Sequence, residues 1–250
     1  IHSEKCETFG EPVTVGLRHW IVQEGGDKRV QILDGATGQV VQGVTLPHKI
    51  TLCGVAMAGV PYAFCWNQKT GGDSKTAMVN LVDGRVTDLS AFMRGVPVSA
   101  VGLSSSEALC ALNYAGMDYA VTTIGRKLPG IAINALLKTK GGEILGGDRD
   151  GILYRLDFAG WKWVKLTDLG GRVFKLAASH DPRWIYATTD GPPRLLVIRT
   201  SDWQWREVDS ATRQSYGQFG LCVATRGNRV YWTAQDPSKT GCCIEIEVVA

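Results

Sequence analysis

The side chains in this sequence best spaced for chemistry are cations that could gather an anion. His48-Lys49, Arg94, Arg172 and Arg213 recur at intervals of about 40 residues or about twice that, each ahead of an apolar run. Cations at matching points of a repeat converge when the repeat closes on itself. A ring of like charge at the mouth of a low-dielectric funnel concentrates potential for an anionic ligand or an acidic protein partner. Lys28-Arg29, Lys69 and Lys75 extend the pattern, while Asp27, Asp73 and Asp148 offset part of it. Ordinary solvated loop charge is the alternative reading.

Aromatic rings offer a second surface. Trp161 and Trp163 form a W-x-W segment, and Trp203 and Trp205 form another 42 residues on. Alternation along a strand sends both rings of a pair to one side. They then either bury between neighbouring layers or lie open, where they would suit sugar stacking or a protein contact.

Seven cysteines is an odd number, so at least one thiol stays reduced or pairs with another chain. There is no C-x-x-C and no Cys/His group at zinc spacing. Cys53 and Cys65 flank a turn centred on Gly59, which sets them opposite each other as a disulfide or as two small packed apolar groups. Signals for catalysis are thin. Gly102-Leu103-Ser104-Ser105-Ser106 reads as a turn and there is no G-x-S-x-G. His2, His19, His48 and His180 fall in separate turns or the tail. Asp148-Arg149-Asp150-Gly151 opens like a calcium loop but lacks the third ligand and the later Glu, and reads as a hairpin turn. The expectation is no catalytic residue, no metal and no cofactor.

These residues must be positioned by short strands. The chain has 250 residues with 30 glycines, 44% hydrophobic and 20% charged residues. That composition excludes disorder and favours many strands joined by tight turns. A four-strand unit repeats. Arg172 to Asp181 and Gly217 to Arg226 are each followed by two further strands, Arg183–Thr188 with Leu195–Ile198, and Arg229–Ala234 with Cys243–Val248. Turns rich in Gly and Asp, such as Asp34-Gly35-Ala36-Thr37-Gly38 and Val82-Asp83-Gly84-Arg85, close the hairpins. No helical period persists for three turns. The apolar stretch from Ile50 to Trp66 is too short, and too broken by Gly54, Gly59 and Pro61, for a membrane span. It reads as two core strands.

Six such units resemble a six-bladed β-propeller of four-stranded antiparallel blades. The resemblance covers nearly the whole chain and lies in repeat length and strand pattern. It lacks the WD, kelch or Asp-box signatures. It implies one domain over residues 1–250, with blades at 12–47, 48–93, 94–131, 132–170, 171–212 and 213–250. The last blade ends at its third strand, so residues 6–11 are expected to supply the fourth and close the ring. That would bring Cys6 beside Cys242 or Cys243 for a disulfide latch. The expected innermost strands carry no Asp or Glu, which argues against a channel metal held by hard oxygen ligands.

A net charge of +3 is too even for a nucleic-acid binder. The chain opens on Ile-His without Met, so it is expected to be processed or trimmed. With the cysteine latch, this leans the expected setting towards extracellular or virion-associated. The function expected is a non-enzymatic binding or scaffold module, or a structural subunit of a larger assembly. Its partner would be a protein or an anionic small molecule. A glycan-binding propeller and a hydrolase or lyase at the channel mouth are the alternatives.

Overall fold

The computed structural model describes residues 13–15, 18–22, 29–34, 37, 39–45, 50–67, 75–114, 117–128, 130–191, 193–210, 220–223, 229–234 and 242–247. Among them every regular element is a β-strand, and no helix is long and apolar enough to cross a membrane. The chain divides into two compact units, Ile1–Lys127 and Leu128–Ala250.

The first unit holds three sheets. The first contains β1 (Val13–Val15), β2 (Arg18–Val22), β3 (Arg29–Asp34) and β4 (Val40–Thr45). The next has β5 (Ile50–Met57), β6 (Val60–Asn67), β7 (Lys75–Asn80) and β8 (Val86–Asp88). The third has β9 (Val96–Gly102), β10 (Ala108–Tyr114), β11 (Met117–Thr122) and β12 (Lys127–Leu128), the last ending at the boundary of the units. In every sheet the strands lie in sequence order, joined by antiparallel ladders. Consecutive strands pair with each other by default when the connection between them is short.

The second unit repeats the plan. One sheet holds β13 (Ile133–Lys138), β14 (Ile144–Asp148), β15 (Ile152–Asp157) and β16 (Lys162–Asp168). The next holds β17 (Val173–Ala178), β18 (Trp184–Thr189), β19 (Arg194–Arg199) and β20 (Trp205–Ser210). A three-stranded sheet follows, with β21 (Gly220–Val223), β22 (Arg229–Ala234) and β23 (Cys242–Glu247). Within each unit the first strands of successive sheets adjoin: β5 meets β9, and β17 meets both β13 and β21.

The sheets pack face to face through the apolar side of each pleat. In the first unit Cys53, Val55, Phe64, Met78, Leu112 and Val121 form one buried cluster. In the second, Leu145, Leu153, Val173, Ile185, Leu196 and Ile198 form another. In β9, Pro97, Ser99 and Val101 are buried while the residues between them are half-exposed, the period-2 pattern of a packed sheet face. The contact between β14 and β17 is so close that a Cβ at Gly147 would sit 2.4 Å from Val173 Cγ1. Only glycine fits there.

Two local expectations are corrected. Cys53 and Cys65 form no disulfide. A register shift between Thr51 and Cys53 pairs Thr51 with Cys65 and Cys53 with Phe64, so the two thiols are not opposite. Both are buried, and the Cys65 thiol donates to Ala77 O at 3.5 Å. Cys110 is buried too. Burial, and then the neighbouring Cys53, push its thiol well above the usual range. Of the other expected pairing, Cys6 lies outside the described residues, while Cys242 and Cys243 lie on β23 opposite Ala234 and Thr233.

The W-x-W segments are also not continuous strands. Trp161 and Trp203 take left-handed backbone, with φ of 47° and 60°. β16 begins at Lys162 and β20 at Trp205. The first tryptophan of each pair therefore closes a turn, and strand alternation does not link it to the second.

Candidate functional site

Arg172 is the last residue of the loop between β16 and β17. Its Nη2 donates to Asn134 Oδ1 at 3.2 Å. Asn134, on β13 and only 6% exposed, donates from Nδ2 to Val173 O at 2.9 Å. The guanidinium carbon lies 4.7 Å over the Phe174 ring, a stacked arrangement that suits the planar, weakly hydrated arginine head. The backbone is held as well, since Asp190 N donates to Arg172 O at 3.1 Å. One amide and one ring thus orient the guanidinium, and one backbone bond holds the loop that carries it.

Three loops meet at this end of the unit. Backbone packs on backbone: a Cβ at Gly151, where φ is +88°, would lie 2.6 Å from Gly171 N. A Cβ at Gly171 would lie 2.4 Å from Asp190 O. The turns between β14 and β15 and between β18 and β19 therefore close directly against the loop that carries Arg172.

A second arginine braces the same loop. Arg194 Nη2 donates to Leu169 O at 2.7 Å, and its guanidinium carbon lies 5.7 Å over the Trp205 ring. Trp205 Nε1 donates to Asp168 O at 2.8 Å. Gly170 N donates to Asp168 Oδ1 at 2.8 Å and completes the turn.

The Asp148-Arg149-Asp150-Gly151 segment is a hairpin turn. Asp148 is 4% exposed, and its Oδ1 accepts from Asp150 N at 3.0 Å and Ile152 N at 2.8 Å. Its Oδ2 accepts from the Tyr154 hydroxyl at 2.9 Å. The carboxylate is thus committed to the turn. Burial first, then the hydrogen bond to Asp148 and the charges of Asp148, Asp150 and Asp168, push the Tyr154 phenol up to about 12. Arg149, Arg172 and Arg194 thus share this end with Asp148, Asp150, Asp168 and Asp190, and the charge is interleaved rather than uniformly basic.

In the first unit, Arg94 occupies the corresponding loop between β8 and β9. Its side chain is exposed. Its backbone is clamped by Tyr119, whose hydroxyl donates to Arg94 O at 2.9 Å and accepts from Arg94 N at 3.0 Å. His48, Lys49 and Arg213 lie outside the described residues. The tryptophans are distributed differently from an open platform. Trp163 is buried, and Trp203 and Trp205 pack against the second unit's core. Trp161 is half-exposed beside Phe158, with ring centroids 6.5 Å apart.

Sequence reasoning missed Asn134, Phe174 and Arg194. Asn134 carried a signal, as the only polar residue between Ile131 and Leu137 in an apolar strand. Arg194 carried none, because its partners lie about 10 and 25 residues away along the chain.

No family model matches this chain, and no curated protein matches it in sequence. Solved structures do match. It is similar to the β-propeller domain of Cps50 (Swd1) from Myceliophteria thermophila, with a TM-score of 0.58 and 13% identity over 96% of this chain and 89% of that one. It is also similar to hydrazine synthase from Kuenenia stuttgartiensis, with a TM-score of 0.66 and 12% identity over 88% of this chain and 72% of that one. At such identities the likeness defines the fold. This is an all-β protein of the β-propeller class, built from antiparallel sheets that are four-stranded wherever four strands are described.

Proposed function

We propose that the chain is a non-enzymatic binding or scaffold module. In this reading it forms one closed ring of six blades over residues 1–250, with residues 6–11 completing the last blade. The ring presents the loop end that carries Arg172 to an acidic protein partner or an anionic ligand, with His48, Lys49, Arg94 and Arg213 at the matching loops. Fold alone assigns no function. The observation that carries the reading is the fixing of Arg172 by Asn134 and Phe174. A guanidinium already oriented loses little freedom when it meets an anion. The strands β13 and β17 beside it bear no carboxylate, and of the four aspartates that share the loop end Asp148 and Asp168 are engaged by backbone N–H groups.

The test is binding of the intact chain to immobilised heparin and to immobilised poly-glutamate across a salt series. The Arg94→Ala/Arg172→Ala double variant is expected to bind about tenfold or more weakly and with a shallower salt dependence. Unchanged affinity and unchanged salt dependence would overturn the reading.

A further inference from the structure

We propose that the opposite end of the second unit's first sheet carries a separate site for a neutral saccharide. Antiparallel order places the turns β13–β14 and β15–β16 at one end of this sheet and the Arg172 loop at the other. At the first end lies a depression of about 510 Å³, bordered by the Gly141-Gly142 turn, Glu143, Arg155, Asp157, Phe158 and Val164. The depression is shallow and open to solvent, a shape that would cover one face of a ligand.

The lining is unusual for this unit. Phe158 is 51% exposed and Val164 36%, the two exposed large apolar side chains among its described residues. The Phe158 ring is inclined at 50° to that of Trp161, which braces it from outside the lining, so Phe158 is the ring that faces the depression. A Cβ built at Gly142 meets no atom within 4 Å, which leaves the rim open to a close approach. Polar groups of both kinds flank the apolar patch. Arg155 Nη1 donates to Glu143 Oε1 at 3.3 Å in an ion pair with both side chains more than 40% exposed. Asp157 Oδ1 accepts from Ala159 N at 3.1 Å.

The chemistry selects the ligand class. An anion would face the carboxylates of Glu143 and Asp157, and a cation would face Arg155. A pyranose ring is neutral. It has an apolar C–H face to stack on Phe158 and vicinal hydroxyls that both donate and accept. Surface ion pairs are weakly held, so Arg155 and Glu143 can exchange each other for hydroxyl partners. This site is independent of the anion-binding reading, since it uses none of the same residues.

The test is an NMR and tryptophan-fluorescence titration of the intact chain with neutral oligosaccharides built from glucose, mannose, galactose and N-acetylglucosamine, to millimolar concentration. At least one series is expected to bind. Phe158→Ala is expected to weaken it about tenfold or more, and Phe158→Trp to preserve it. Should Phe158→Ala fail to fold, Arg155→Gln is expected to weaken the same ligand. Binding by none of the panel, or unchanged binding by a folded Phe158→Ala or Arg155→Gln variant, would overturn the proposal.

Discussion

Arg194 and Trp205 act as one clamp: the guanidinium lies 5.7 Å over the indole, and the two side chains donate to the successive carbonyls of Leu169 and Asp168. Two strands of one sheet thereby hold the loop that issues from the neighbouring sheet. Trp205→Phe keeps a ring beneath Arg194 but leaves the Asp168 carbonyl without its indole donor, at a cost of about 1 kcal/mol. Trp205→Ala also removes the packing and should cost roughly 2–3 kcal/mol. Urea denaturation of the two variants would check both values. A double-mutant cycle with Arg194→Met should show coupling of about 0.5 kcal/mol or more.

Gly147 reports on sheet-to-sheet packing. Its missing Cβ would fall 2.4 Å from Val173 Cγ1, so Gly147→Ala should destabilise by about 1–3 kcal/mol through overpacking. Val173 Cβ would itself lie 2.6 Å from the added methyl, so Val173→Ala should open a cavity without relieving the clash. Thermal denaturation should show the pair Gly147→Ala/Val173→Ala melting below the Gly147→Ala variant.

The β5–β6 hairpin can be improved. Ala58 and Gly59 both have positive φ, 48° and 77°, as a type I′ turn requires. Asparagine tolerates that conformation better than alanine. Ala58 is exposed and its side chain has little packing to lose. Ala58→Asn is expected to stabilise by roughly 0.5–1 kcal/mol, measured as a shift in the denaturation midpoint with unchanged m-value.

Tyr154 should make stability fall at alkaline pH. Its phenol titrates near 12 in the folded chain, against about 10 when unfolded. Between those values the folded state binds the extra proton. The contribution is therefore complete below pH 10 and is lost as pH rises towards 12. Ultraviolet titration should show a late-ionising tyrosine that Tyr154→Phe removes. Asp148→Asn should bring it back towards 10, because it removes the negative charge that opposes phenolate formation.

Much of the architecture was legible because its determinants are local. Apolar runs bounded by Gly- and Asp-rich turns mark strands whatever lies beyond them, and β13 to β20 fall where that punctuation places them. The failures share a different origin. Cys53 and Cys65 look opposite when counted from Gly59, but one bulged residue displaces the register. Trp161 and Trp203 look like strand residues, yet a four-residue turn requires a left-handed position there and the tryptophans occupy it. The site depended on contacts over long separations. Arg172 was visible by its spacing, whereas the Asn134 amide that orients it lies 38 residues earlier on another strand. Phe158 carried no signal in the sequence, because exposure is a property of the packed sheet.

In the proposed function the loop end around Arg172 meets the anion. Hydrogen exchange of the intact chain, with and without a heparin oligosaccharide, tests it most directly. The predicted result is slowed exchange in the loops at 169–172 and 190–194, with no change at the β15–β16 turn. Slowed exchange at the β15–β16 turn, with the Arg172 loop unaffected, would contradict it.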